Sequence, residues 1–461
     1  MIYKGLKLTN WIFRKKNRLK KINIILIFSI FSSTIISSQS TDTIPVNAKL
    51  ADCIRYALKN QPVLKQTILD EAISKQNTRI SLSDWLPQIG ANANIIRNYQ
   101  LPVEYASYGS ITEKGTAGLL NTSGANLYLN QMIYSNELLL AGRSARYYHQ
   151  KASQITESEK IDVVVNVSKT FYDVMLTQQQ LNLLEKEIKR LSRNLKDSYN
   201  QYKDGLTDKI DYKRATIALD NAESDKKATE EAIKAKYEYL KQVMGVPVEK
   251  QIIISYDSAG MVNDMMIDTT QRLPYQNRIE FQILQTQLRL QHFTVSYYKM
   301  SILPSLSAFG NYNFNYQNNQ FSQLYNTNYP SSFIGLSLTF PLFTGTKRYH
   351  YLKKAQLQYE QLALDSAVMK SQFNTEYARA LASYKTSLMT LKVMGEDLEL
   401  AHDIYKMVKE QYERGIKTYL EVIVAETDLR SAEINQLNAL FNVVSGKLDI
   451  QRALGSVSLN Y

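Results

Sequence analysis

A single cysteine, Cys53, serves the whole 461-residue chain, so an intrachain disulfide is excluded. The run Leu50-Ala51-Asp52-Cys53 resembles a lipid-attachment site only on the surface, because Asp52 fills a slot that wants a small residue. A buried cysteine at a helix start is the preferred reading. Histidine is scarce as well: His149, His292, His350 and His402 are scattered and lack metal-ligand spacing. Neither a Gly-x-Ser-x-Gly elbow, a phosphate loop nor a dinucleotide fingerprint occurs. Enzymatic activity is not expected, and no cofactor is implied. Met261, Met265 and Met266 cluster, but loop methionines are ordinarily packing filler rather than soft-metal ligands.

Long apolar runs are missing too. Downstream of residue 40 there are no 18 uninterrupted apolar residues, which argues against helical membrane spans in the mature chain. Acid is absent from residues 1–40, which hold eight of the 55 Lys and Arg residues. There a basic stretch precedes an apolar run, Ile22 to Ile36, and then Ser37-Ser38-Gln39-Ser40. This reads as a signal peptide, with a retained anchor as the alternative. Without those eight, 47 basic residues face 43 acidic ones. Nucleic acid loses its electrostatic argument and is not an expected partner.

What the chain does have is a second half that repeats its first. Gln201-Tyr202-Lys203-Asp204-Gly205 returns 210 residues later as Gln411-Tyr412-Glu413-Arg414-Gly415. At the same spacing Ile210 meets Leu420, Leu219 meets Leu429, and Met244-Gly245 meets Leu454-Gly455. Leu86-Pro87 returns as Leu303-Pro304. Such a period is too long for a solenoid repeat of about 20–50 residues. The expected organisation is a signal peptide over 1–40, a first structural repeat over 41–250, a linker over 251–275 and a second repeat over 276–461.

Each unit opens with a helical stretch, Leu50 to Asp84 and Gln276 to Met300, stopped by Pro87 and Pro304. Alternating segments follow, at about 88–100 and 122–134, then about 305–317 and 332–343. Leu306, Ala308, Gly310, Tyr312, Phe314 and Tyr316 share one face; Ser305, Ser307, Phe309, Asn311, Asn313, Asn315 and Gln317 share the other. In the first unit Ile89, Ala91, Ala93 and Ile95 form such a face until Arg97 breaks it, which suits a headgroup position. Each strand is about 10 residues, the length a tilted strand needs to cross a bilayer. The polar stretches Gln100–Asn121 and Gln317–Ser331 are expected as loops. A soluble sandwich is the alternative for these strands.

Proline is missing from about Glu137 to Tyr202, and Gly142 is the only glycine there. Leu181, Leu184, Ile188, Leu191, Leu195, Ser198 and Tyr202 step by three and four, as do Leu391, Met394, Leu398, Ala401, Tyr405, Val408 and Tyr412. This is coiled-coil spacing. Sixty-odd residues at about 1.5 Å each predict a rod of roughly 100 Å. Hairpin tips are expected near Gly205 and Gly415.

Four strands per chain cannot sit open in lipid, because edge amides would go unsatisfied. Several copies must close the barrel; three would give twelve strands and leave a lumen, which the Asn and Ser face suits. The fold class is an α+β membrane protein with an internally duplicated unit of two barrel strands plus long coiled-coil hairpins.

This doubled layout resembles the TolC family of outer-membrane efflux proteins. The carrying residues are Leu50-x3-Ile54-x2-Ala57-Leu58-x-Asn60-x-Pro62, the Leu-Pro before each first strand, and Pro341-Leu342-Phe343-Thr344-Gly345. The tip motifs Tyr202-x2-Gly205-x4-Ile210-Asp211 and Tyr412-x2-Gly415-x4-Leu420-Glu421 add to them. The resemblance covers nearly the whole mature chain. It implies a homotrimer with a 12-stranded β-barrel in outer-membrane lipid and a periplasmic α-helical tunnel, serving as the exit duct of a tripartite efflux system. The implied partners are a periplasmic adaptor (membrane fusion) protein and an inner-membrane pump, a proton-driven efflux transporter. The implied cargo is small molecules, drugs and toxic compounds, moving passively. A type I protein secretion duct is the alternative, and a secreted coiled-coil structural protein a further one.

The resemblance also implies a gate at the tips, formed here by Asp211, Tyr412, Lys417 and Glu421. Lysine at 417, where arginine is common, gives up a forked contact. Val424 stands where the family carries a second acid. For Asp211 and Lys417 the competing reading is solvated helix-surface charge. Gly205, Leu206, Thr207, Gly415 and Ile416 resemble adaptor-docking turns, and ordinary helix caps would look the same.

Overall fold

A computed structural model describes residues 47–108, 111–255 and 265–461. The expected signal peptide, residues 41–46 of the first repeat, and residues 256–264 of the linker, including Met261, lie outside the described residues.

The opening helical stretch is two helices, α1 (Leu50–Asn60) and α2 (Pro62–Ser83). Pro62 causes the break. Its ring pushes Gln61 out of the helical region, to ψ 121°, and α2 restarts with Pro62 in its first turn, where no N–H is needed. Cys53 is fully buried in α1, and burial with the nearby Asp52 charge pushes its thiol up to about 12.

Two strands follow α2, separated by a hairpin. They are β1 (Gln88–Arg97) and β4 (Asn121–Tyr134), with β2 (Val103–Tyr108) and β3 (Ile111–Thr116) pairing antiparallel between them. The polar stretch expected as a loop therefore carries its own small sheet. Ser135 then caps α3 (Asn136–Lys203), accepting from the Leu138 amide at 3.1 Å. α3 has 68 residues, about 100 Å at helical rise. α4 (Lys209–Met244) returns alongside it.

The second unit repeats the plan with α5 (Ile279–Lys299), β5 (Ser305–Asn318), β6 (Ser331–Thr339), α6 (Lys347–Glu413) and α7 (Tyr419–Leu454). Alternation runs on to Phe343 in the sequence, but β6 stops at Thr339, just before Pro341. Between β5 and β6 one 3-10 turn, Phe321–Gln323, leads into a buried Leu324.

The four long strands form one antiparallel sheet in the order β1-β4-β5-β6. The β4–β5 pair stitches the two sequence repeats together. Register puts Ile89 opposite Leu129, Leu129 opposite Gly310, and Gly310 opposite Ile334. It likewise aligns Asn92, Asn126, Asn313 and Ser331 across all four strands. Because neighbours in a row point to the same side, the sheet has one apolar and one asparagine-rich face. A bulge at Met132–Tyr134 sets Tyr134, not Ile133, opposite Leu306. Gly90 and Gly335 on the polar face leave room for the rings of Tyr128 and Phe309; an added Cβ would lie 2.3 and 2.7 Å from them.

The main core lies midway along the rods. Cys53, Ile54 and Ala57 of α1 meet Val163, Val164, Val167 and Phe171 of α3, Leu240 and Met244 of α4, Tyr384 of α6, and Val443 and Ile450 of α7. The described ends of the linker pack on it through Ile252, Ile254 and Met265. Ile254 bridges Ala48 in parallel, and the Tyr384 hydroxyl donates to the Met265 carbonyl at 2.7 Å. Arg278, 3% exposed, pins the start of α5 through Glu280 and Glu376, each at 3.0 Å.

The duplication shows in the helix ends. Gly245 and Gly455 close α4 and α7 at φ +70° and +67°. Gly245 sits against Gln61 and Pro62, Gly455 against Asn277, and an added Cβ would lie 2.7 Å from each neighbour. Gly205 and Gly415 share the left-handed φ, at +73° and +75°, but face open space. Alanine at any of the four incurs the left-handed strain of about 1–2 kcal/mol. Only Gly245→Ala and Gly455→Ala add a backbone clash, so their melting temperatures should fall clearly below those of Gly205→Ala and Gly415→Ala in thermal unfolding. Equal falls in all four would refute the packing account.

Candidate functional site

The end of the molecule far from the sheet is built from two matched turns. α3 stops where Gly205 turns left-handed; Gly205 N donates to Tyr202 O at 3.0 Å and Leu206 N to Gln201 O at 2.8 Å. α6 stops in the same way, with Gly415 N donating to Tyr412 O at 2.8 Å and Ile416 N to Gln411 O at 2.9 Å. These bonds satisfy carbonyls that a bare helix end leaves open. Asp208 caps α4. Thr418 and Glu421 form a capping box on α7, the Glu421 carboxylate accepting from Thr418 N at 2.9 Å. Leu206 and Ile416 stand outward, 75% and 69% exposed.

Of the four expected gate residues, Tyr412 ties the two hairpins together, but through Gln201. Its hydroxyl donates to Gln201 Oε1 at 2.8 Å, from α6 to α3. Lys417 and Glu421 meet each other at 2.5 Å, one turn apart on one hairpin. The Lys417 ammonium, then the Thr418 amide, holds the exposed Glu421 carboxyl down to about 2. Asp211, at the start of α4, makes no side-chain hydrogen bond among the described residues. It acts through its field: burial raises the Tyr412 hydroxyl, and the Asp211 charge adds to the rise. Tyr419, 2% exposed, packs on Tyr412 at 5.7 Å between ring centroids. Thr207 Oγ1 is buried without a hydrogen-bond partner, and Val424 is half exposed.

Gln201 escaped the sequence reading. Its only signal was that Gln201 and Gln411 both open the repeated tip motif, which places Gln201 one turn before the first tip, level with Tyr412.

Behind the tips a second apolar cluster joins Ala215 of α4, Tyr405 of α6, and Tyr419, Val422, Ala425 and Leu429 of α7. The arrangement can hold two helical hairpins side by side.

Comparison with known proteins agrees with a channel component. The family described as "Outer membrane efflux protein" matches residues 53–246 and 276–456, both repeats. Outer membrane protein TolC of Vibrio cholerae is 22% identical over 417 residues, covering 89% of this chain and 91% of the relative. Proteases secretion protein PrtF of Dickeya chrysanthemi is 16% identical, covering 89% and 88%. Among solved structures, the outer membrane protein VceC of Vibrio cholerae matches with a TM-score of 0.69 at 15% identity, over 88% of this chain and 96% of that one. With its two matched repeats, its two-faced sheet and its long paired helices, this chain belongs to the outer membrane efflux protein family, as an outer-membrane channel component of the TolC-like kind.

Proposed function

We propose that three copies close one twelve-stranded barrel in the outer membrane and form the exit duct of a tripartite efflux system. The observation that carries this reading is the sheet. It has one apolar face, and β1 and β6 each pair on one side only. Their free edges would leave backbone groups unsatisfied in lipid at several kcal/mol each. Joining β1 of one copy to β6 of the next removes both edges at once, and three copies leave a bore for water on the asparagine face.

The helices support the same step. α2 leads into β1 and carries exposed Val63, Ile68, Leu69 and Ile73. α6 leaves β6 and carries exposed Leu357, Leu364 and Val368. Pairing the strand edges brings these two apolar faces together between copies. The hairpins then form a tunnel across the periplasm. Their tips, with Gly205, Leu206, Thr207, Gly415 and Ile416, meet a periplasmic adaptor, which links the duct to a proton-driven inner-membrane pump. Cargo is small molecules, drugs and toxic compounds, moving passively. The resemblance to PrtF favours a second reading, a duct for secreted protein. Neighbouring genes for a drug pump or for a protein exporter separate the two.

In this reading the tips form the gate, held shut by Tyr412 with Gln201, with Asp211, Lys417 and Glu421 standing at the tips beside that tie. The mature protein in planar bilayers should give discrete low conductance and migrate as a heat-modifiable trimer; a soluble monomer without pores would end the proposal. Tyr412→Phe removes one neutral hydrogen bond worth about 1 kcal/mol, so the open fraction should rise about fivefold in single-channel records. The depressed Glu421 carboxyl keeps its contribution above the ordinary carboxylate range and loses it only as pH falls toward about 2. A carboxyl titration followed by NMR should therefore show Glu421 ionised throughout the neutral and mildly acidic range. An inflection in that range contradicts the Lys417 contact.

A further inference from the structure

About 20 Å behind the tips, by helical rise from Gly205 and Gly415, charged side chains interrupt the apolar seam between the two hairpins. Glu187, Arg190 and Asn194 come from α3; Glu426 and Arg430 come from α7. They cross-link. Arg190 Nε meets Glu426 Oε1 at 3.1 Å, and Asn194 Nδ2 donates to Glu426 Oε2 at 3.2 Å. In the other direction Arg430 Nε meets Glu187 Oε2 at 3.3 Å, and Arg430 also holds Asp225 of α4. The Arg190 guanidinium lies over the Tyr405 ring of α6. All four long helices thus meet in one charged knot. Its two central carboxylates are nearly closed to solvent, with side chains 8% exposed at Glu187 and 3% at Glu426.

From the knot outward to the tips, two ties of very different strength therefore join the hairpins. The tip tie is one neutral hydrogen bond at a partly exposed site. The knot is a set of charge-assisted bonds around buried carboxylates, and parting it would break several of them together. A motion that separates the tips breaks the weak tie first and leaves the strong one whole. We infer that Glu187, Arg190, Glu426 and Arg430 are the positioning residues of the gate: a pivot that stays closed while the tips beyond it part, and so sets the length of rod that moves. The inference rests on the reading of the tips as a gate. Burial raises both central carboxyls against the pull of Arg430 on Glu187 and Arg190 on Glu426, which agrees with a knot kept dry.

Distance measurements between paired spin labels on the full-length mature trimer test this, with labelled chains diluted among unlabelled ones. One pair replaces exposed Leu206 and Ile416 at the tips; the other replaces exposed Lys189 and Asp428 beside the knot. The tie-breaking variant Tyr412→Phe with Gln201→Ala should widen the Leu206–Ile416 distance and leave the Lys189–Asp428 distance unchanged. Widening at both levels overturns the pivot and spares the gate. No widening at either level overturns the gate reading itself. As a second arm, Arg190→Glu added to the tie-breaking variant should widen the Lys189–Asp428 pair and raise conductance further, and adding Glu426→Arg should restore both. Failure of that reversal to restore them would also count against the pivot.

Discussion

The backbone of an apolar-faced sheet has to be hydrogen-bonded everywhere, and in this chain it is not. β4 and β5 are paired on both sides, whereas β1 and β6 each keep one open edge. Nothing in a bilayer can satisfy those edges. The rest of the architecture follows from this shortage. The strands next to the open edges are joined directly to α2 and α6, the helices that expose apolar stripes. Edge and stripe follow one another along the chain, so in the proposed ring one neighbouring copy meets both. The proposed ring of copies is the arrangement in which neither is left over.

Away from the sheet the chain is held by a core placed far from both ends. The waist packs α1, α3, α4, α6, α7 and the linker residues Ile252, Ile254 and Met265 into one cluster, pinned by buried Arg278. Beyond it the two hairpins run on with thinner support. There the ties are graded: apolar seam, charged knot, a small tyrosine-rich cluster, then a single Tyr412–Gln201 bond. Local stability falls as buried contacts thin out, and elements that move are drawn from the weak end. A gate at the tips fits that gradient.

The two halves share a plan without sharing contacts. Gly245 and Gly455 take the same backbone angles for the same reason, close packing against the start of an earlier helix. The tips take the same turn but different caps, Asp208 on one and the Thr418–Glu421 box on the other. The knot is asymmetric in the repeat. Leu400 stands 210 residues beyond Arg190, and Asp220 the same distance before Arg430. Duplication supplied the scaffold, and the ties between hairpins arose from differences between the copies.

The periodicities by themselves determined the four long strands and the rods. Steps of two marked the strands, steps of three and four the rods, and repeated glycines their ends, because each reflects a local backbone geometry that tolerates few alternatives. The alternation also separated the two faces of the sheet, since a register slip of one residue would mix them. Pairing across distance was decided only in three dimensions. The join of β4 to β5, the hairpin inside Val103–Thr116, the choice of Gln201 by Tyr412, and the meeting of Glu187 with Arg430 all link residues whose spacing in the chain carries no signal. A long helix presents polar side chains on every side. Which of them become partners depends on where a second helix lies, and the packing of the waist decides that.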